Sequence, residues 1–167
     1  MKLSKLVLAA AIAMPAFAGA QGASPQAKPD MKVTFAVMKA NVAKISDAGE
    51  KERWLANKNA WDVAVSQTGK VQAADLAKVS TALGAMKTNV AKITEASEKE
   101  RWQANVDLWQ LFDSRGGSLS KADLPAANAS LEKIKANVAR ITAAAEKERW
   151  QADRDLWQIV IDRVPAK

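Results

Sequence analysis

"ITEASEKERW", Ile93–Trp102, has two near copies 48 residues to either side: "ISDAGEKERW" from Ile45 and "ITAAAEKERW" from Ile141. Whether a helix runs through this stretch or stops in it decides the fold. Going from Ile93 to Trp102 turns about 900° at roughly 100° per residue, half a turn off the starting face. That phase change marks a possible break, and Ser97 with Glu100 three residues on would cap a new helix. Against a break stands the third copy, where an alanine run is a poor place for a helix to stop. Only Gly49, in the first copy, weakens the segment.

The copies extend upstream. "MKANVAKI" (38–45), "MKTNVAKI" (86–93) and "IKANVARI" (134–141) keep the same spacing, and "ADLAKV" from Ala74 matches "ADLPAA" from Ala122. The chain is a triplicated unit of 48 residues. In the second unit Leu76, Val79, Leu83, Met86, Val90 and Ile93 step by three and four, one face of a helix. The other units repeat the pattern with Met31, Phe35, Met38, Val42 and Ile45, and with Leu124, Leu131, Ile134, Val138 and Ile141. The favoured architecture is all-α, three long helices of roughly 35 residues in an up-down-up bundle. The runner-up is six shorter helices as three stacked hairpins.

Between units, "SQTGKVQAAD" (66–75) and "DSRGGSLSKAD" (113–123) carry helix-ending glycines, and Ser120 or Asp123 can cap the next helix. "FDSRGGSLSKADL" (112–124) also has the cadence of a calcium loop, and "TGKVQAADL" (68–76) shares its second half. Over about a dozen residues each, the two loops resemble the EF-hand family, which would imply calcium binding. With Val71 or Leu119 as the central apolar residue, the first ligand position falls on Ala64 or Phe112, and the alternating acids are missing. The loops therefore read as turns plus caps, with degenerate EF-hand ancestry as the alternative.

All six tryptophans lie in the repeated segment, in a chain without tyrosine, histidine or cysteine. With Trp102 at zero on a helical wheel, Trp109 lies at about −20°, Asn105 at −60°, Val106 at +40° and Phe112 at −80°. This is an apolar stripe with an amide in its centre, and the sister copies place Asn57 and Asp153 there. The favoured reading is core, because a chain with three phenylalanines needs bulk from somewhere. Asn105 would then need a partner, with Asn41 or Asn137 as candidates. The competing reading is a ligand face of Trp54, Asn57, Trp61, Trp102, Asn105, Trp109, Trp150, Asp153 and Trp157, suited to sugar rings or peptide side chains. Glu50–Arg53, Glu98–Arg101 and Glu146–Arg149 read as solvated (i, i+3) pairs.

"MKLSK", "LVLAAAIAM" and "PAFAGA" have the grammar of a secretory signal peptide over residues 1–20, followed by a disordered leader at 21–30 and one helical repeat domain at 31–167. Cleavage after Ala20 would leave 23 basic and 18 acidic side chains, net +5. That balance weakly favours anionic partners, and no Lys/Arg block of nucleic-acid type is present. No later segment is apolar enough for a transmembrane helix. Without histidine or thiol, and without a phosphate loop, no catalytic residue, metal ligand or cofactor is assigned. The expectation is an exported, periplasmic or secreted, non-enzymatic repeat protein that binds a protein or anionic envelope component through a helix face, with a second copy of itself as a further candidate. The alternatives are a degenerate EF-hand-like metal-loop protein and a purely structural bundle.

Overall fold

The structure, a computed structural model, describes residues 30–67 and 71–165. The expected signal peptide and all but the last residue of the expected leader lie outside them. Six α-helices follow one another: α1 Met31–Val42, α2 Ala48–Ser66, α3 Ala73–Val90, α4 Ala96–Ser114, α5 Leu124–Ala139 and α6 Ala144–Asp162. A short 3-10 turn, Lys121–Asp123, precedes α5. No strand occurs among the described residues. The three long helices expected from the sequence are thus corrected to six shorter ones, two per repeat.

Each repeat breaks within the ten-residue stretch that posed the question. The isoleucines at its start are buried in the turn, where Ile45, Ile93 and Ile141 donate to Val42, Val90 and Val138 carbonyls at 3.1–3.2 Å. Asp47 caps α2 by accepting from Glu50 N at 2.7 Å. Glu95 caps α4 by accepting from Ser97 N at 2.9 Å and from Glu98 N. The cap of α4 is therefore Glu95, not Ser97. In the third copy Ala143 occupies this place with no side-chain cap, yet the helix breaks all the same.

The reason is burial. A continuous helix would put the isoleucine and the tryptophan on opposite faces. Burying a tryptophan removes roughly 150–250 Å² from water, worth ~4–6 kcal/mol at about 25 cal/mol/Å². The few backbone hydrogen bonds forgone at a break are each worth only ~1 kcal/mol net. The tertiary term wins, even over an alanine run.

The six helices close into a ring. Each packs on its neighbours in chain order, and α6 returns to pack on α1. The tightest pairs are α2 with α3, α4 with α5 and α6 with α1, so each repeat leans on the next more than on itself. Helices α2, α4 and α6 face one another across the axis through their tryptophans, while α1, α3 and α5 contribute Met38, Met86 and Ile134, all fully buried.

The α4–α5 connection ends α4 in a Schellman motif: Gly117 N donates to Phe112 O at 2.9 Å and Gly116 N to Asp113 O at 3.0 Å. Both glycines adopt positive φ, +68° and +87°. A Cβ on Gly117 would stand 2.4 Å from Val71 Cγ2, so this glycine also lets the two inter-repeat connections touch. Asp123 accepts from Ser120 N at 2.9 Å and pairs with Arg115 Nε at 2.8 Å. Those bonds hold its carboxyl below the usual range, the Ser120 hydroxyl foremost. The stretch that resembles an EF-hand loop is built here as a helix stop and a cap.

Candidate functional site

The nine residues singled out in the sequence come together on the axis, and none faces solvent. Trp54, Trp102 and Trp150 form one triangle, with ring centroids 4.7–4.9 Å apart and all three contacts edge-to-face. Trp61, Trp109 and Trp157 form a second, at 4.7 Å. Edge-to-face contact sets the positive rim of one indole against the negative face of the next, so three rings satisfy one another around a threefold axis. All six side chains are 0–1% exposed.

Between the triangles lies a polar layer of Asn57, Asn105 and Asp153, each 0% exposed. Asn105 Nδ2 donates to Asn57 Oδ1 at 3.1 Å, and Asn57 Nδ2 donates to Asp153 Oδ1 at 2.8 Å. The second Trp triangle donates into the same layer. Trp61 Nε1 reaches Asp153 Oδ1 at 2.8 Å, Trp109 reaches Asn57 Oδ1 at 2.7 Å and Trp157 reaches Asn105 Oδ1 at 2.8 Å. Asn105 thus finds its partners on α2 and α6, not in Asn41 or Asn137. Those two are engaged elsewhere: Asn41 Nδ2 donates to Val37 O, and Asn137 Nδ2 to Lys133 O and Glu100. Burial pushes the Asp153 carboxyl up to about 6, against the hydrogen bonds from Asn57 and Trp61 that pull it down.

The "EKER" charges also work between repeats, which corrects the local pairing expected from the sequence. Arg53 pairs with Glu98 at 2.6 Å, Arg101 with Glu146 at 2.7 Å, and Arg149 with Glu50. The same arginines lie over the neighbouring repeat's tryptophan: Arg53 over Trp102, Arg101 over Trp150, Arg149 over Trp54, at 4.9–5.9 Å. Arginine and tryptophan adjacent in sequence point apart on a helix. Across an interface they meet. Burial lowers the Arg101 guanidinium from its ordinary value, and Glu146 opposes the shift.

With the axis closed, any contact surface must lie outside it. The exposed large apolar side chains among the described residues are Val33, Val37 and Leu55. Leu55 opens onto a groove of about 790 Å³ between α2 and α3, floored by Ala56, Val63, Ala82 and Ala85 and edged by Glu52, Asp62 and Asp75. The sister groove between α4 and α5 measures about 270 Å³ and comprises only the half around Leu111 and Ser114. Its other half is bridged by Asn137 Nδ2 donating to Glu100 Oε2 at 3.0 Å. In the first groove no bond joins the sister residues Asn89 and Glu52: Asn89 Oδ1 accepts from Lys92 at 3.0 Å, and its Nδ2 donates to Ala85 O. Leu55 stands where the other repeats have Gln103 and Gln151, and Ala85 where the first has Val37 and the third Lys133. The groove lies where the repeats differ, so the shared pattern of the sequence does not mark it.

No family model, curated protein or solved structure matches the chain. Among the described residues no cluster of three or more His, Cys, Asp or Glu side chains could hold a metal ion, and no helix is long and apolar enough to cross a membrane.

Proposed function

We propose that this is an exported, non-enzymatic binding protein whose contact surface is the α2–α3 groove, and that its partner is a polypeptide. The observation that carries this reading is the difference between two sister grooves: the one between α2 and α3 is about 790 Å³ and runs open past Glu52, whereas the one between α4 and α5 is about 270 Å³ and is bridged by Asn137 and Glu100. Glu52, Asp62 and Asp75 edge it with carboxylates in a chain that is basic as a whole. Lys58 and Lys78 pair with Asp62 and Asp75, which leaves Glu52 to meet a cation. A segment with apolar side chains for the floor and a lysine or arginine at Glu52 matches this, as an amphipathic helix in a groove does elsewhere. An anionic envelope component does not match the carboxylate edge.

The test uses substitutions that copy the sister repeats, Leu55→Gln and Ala85→Lys, so the fold is asked for nothing it does not already contain. A photo-crosslinking side chain at position 55 is expected to give discrete protein adducts in an envelope extract. These are lost with Ala85→Lys, and the same probe at position 103 does not give them. Equal adducts at both positions would reject the groove, and co-sedimentation with anionic vesicles unaffected by Ala85→Lys would favour a headgroup partner instead.

A further inference from the structure

The polar layer on the axis is one hydrogen bond short of a closed ring, and the gap has a defined place. Each of the three positions presents one oxygen that accepts an indole N–H. Asn57 Oδ1 and Asp153 Oδ1 each accept an amide N–H as well. Asn105 Oδ1 does not. The missing donor is the group at position 153 that corresponds to the amide nitrogens of Asn57 and Asn105. That group is Asp153 Oδ2, which is buried and has no hydrogen-bond partner. An orphan oxygen and an unfilled acceptor occupy successive places in the same ring.

We propose that Asp153 enters the folded core as a neutral carboxylic acid whose Oδ2–H donates to Asn105 Oδ1, so that one proton closes the inner ring and its loss opens it. The proton comes from solvent on folding and returns to solvent when the ring opens. Ionised, the carboxylate would turn a bare negative oxygen toward a carbonyl oxygen in a layer walled by indoles, the arrangement that costs most in a low-dielectric interior.

No cation is placed to prevent this. From α2, Asp153 meets Asn57 and Trp61, and from α4 the layer receives Asn105, all neutral. The guanidiniums of Arg53, Arg101 and Arg149 lie one turn away on α2, α4 and α6, each committed to a glutamate. On α1, α3 and α5 the buried polar side chains are Asn41, Asn89 and Asn137, none of them charged. Arg154, next in sequence, pairs with Asp155. The upward displacement of the Asp153 carboxyl to about 6 agrees with this environment. The latch is independent of the groove, and a chain that works outside the cell would meet the pH range in which it operates.

Carboxyl carbon NMR of the wild-type protein tests it directly, with the Asp153 resonance assigned through its backbone. A midpoint near 6 or above is expected, and a midpoint in the ordinary aspartate range near 4 would overturn the proposal. Asp153→Asn supplies a third amide and closes the ring at every pH. The wild-type Tm should fall by about 5 °C between pH 5 and pH 8, while the variant's changes by less than about a third of that. Parallel pH dependence in the two proteins would count against the latch. Should the variant fail to fold, the wild-type titration decides alone.

Discussion

Arg149, on the last helix, pairs with Glu50 in the first turn of α2 and lies over Trp54, so the third repeat clasps the first with the contacts that join the others. Its Nη1 also donates to Asn41 O at 3.3 Å, at the end of α1. A linear array of repeats would leave its first and last faces open. This chain closes on itself through the α6–α1 packing, and Arg149 is the buried cation at that closure. Arg149→Ala should therefore cost about 2–3 kcal/mol, from a lost ion pair, a lost cation–π contact and one of the two hydrogen bonds to Asn41 O. Glu50→Ala should cost about 1–2 kcal/mol, less than Arg149→Ala because the packing over Trp54 stays, yet more than a surface pair because the buried guanidinium loses its counter-ion. Urea unfolding of both variants checks this, and a Glu50→Ala cost near zero would show that the pair acts as a surface bridge.

The repeat period, the helical faces and the membership of the axis were all legible, because apolar spacing records which side of each helix is buried. The break at Ile45, Ile93 and Ile141 was legible only as a half-turn phase change. Local propensity, strongest in "ITAAAEKERW", pointed the other way and lost to burial of Trp150. The partners of Asn105 and of the "EKER" arginines were not legible at all. They lie 45–52 residues away or across the ring closure, and only the cyclic arrangement brings them together. The α2–α3 groove required knowing that Glu100 and Asn137 touch, which the sequence does not say.

The two tryptophan triangles differ in their polar ends. Trp61 Nε1 donates to Asp153 Oδ1, whereas Trp54 Nε1 is buried without a partner. Trp→Phe leaves a comparable void at either site. At position 54 it also removes an unsatisfied donor, and at position 61 it strips a hydrogen bond from a buried carboxyl. Trp61→Phe should be the more destabilising by ~1 kcal/mol, measured by chemical denaturation. It should also raise the Asp153 pKa further, since a bond that favours the charged form is gone.

Two glycines should respond to alanine with opposite signs. Gly84 lies inside α3 with nothing within 4 Å of a built Cβ, so Gly84→Ala should stabilise by about 0.5–1 kcal/mol through helix propensity. Gly117 holds φ +87° and would drive its Cβ into Val71 at 2.4 Å. Gly117→Ala should cost roughly 2–3 kcal/mol, from backbone strain and the clash together. Thermal melts of the two variants check the sign. A neutral Gly117→Ala would mean that the two inter-repeat connections are not held against each other.

The protein should be most stable in mildly acid solution, between two limbs with different causes. Asp153 has a folded pKa of about 6, above the value of an unfolded aspartate near 4. The native state binds that proton more tightly, so the contribution is fully present below about pH 4 and is lost as pH rises through about 6. The displacement of roughly two units sets its size at on the order of 3 kcal/mol. Asp75, Glu95 and Asp123 are shifted the other way, each held down by hydrogen bonds: Lys78 and Gln67 for Asp75, the Ser97 and Glu98 amides for Glu95, Ser120 for Asp123. Their contributions are present above their unfolded values and are lost as pH falls through the folded ones. Stability should therefore decline on the acid side below about pH 4, decline again on the alkaline side through about pH 6, and peak between. Unfolding free energies from urea titrations at intervals from pH 3 to pH 8 trace the curve. In Asp153→Asn the acid limb should persist and the alkaline limb disappear, because only the alkaline limb belongs to the axis. A wild-type curve rising steadily to pH 8 would contradict a raised pKa at Asp153.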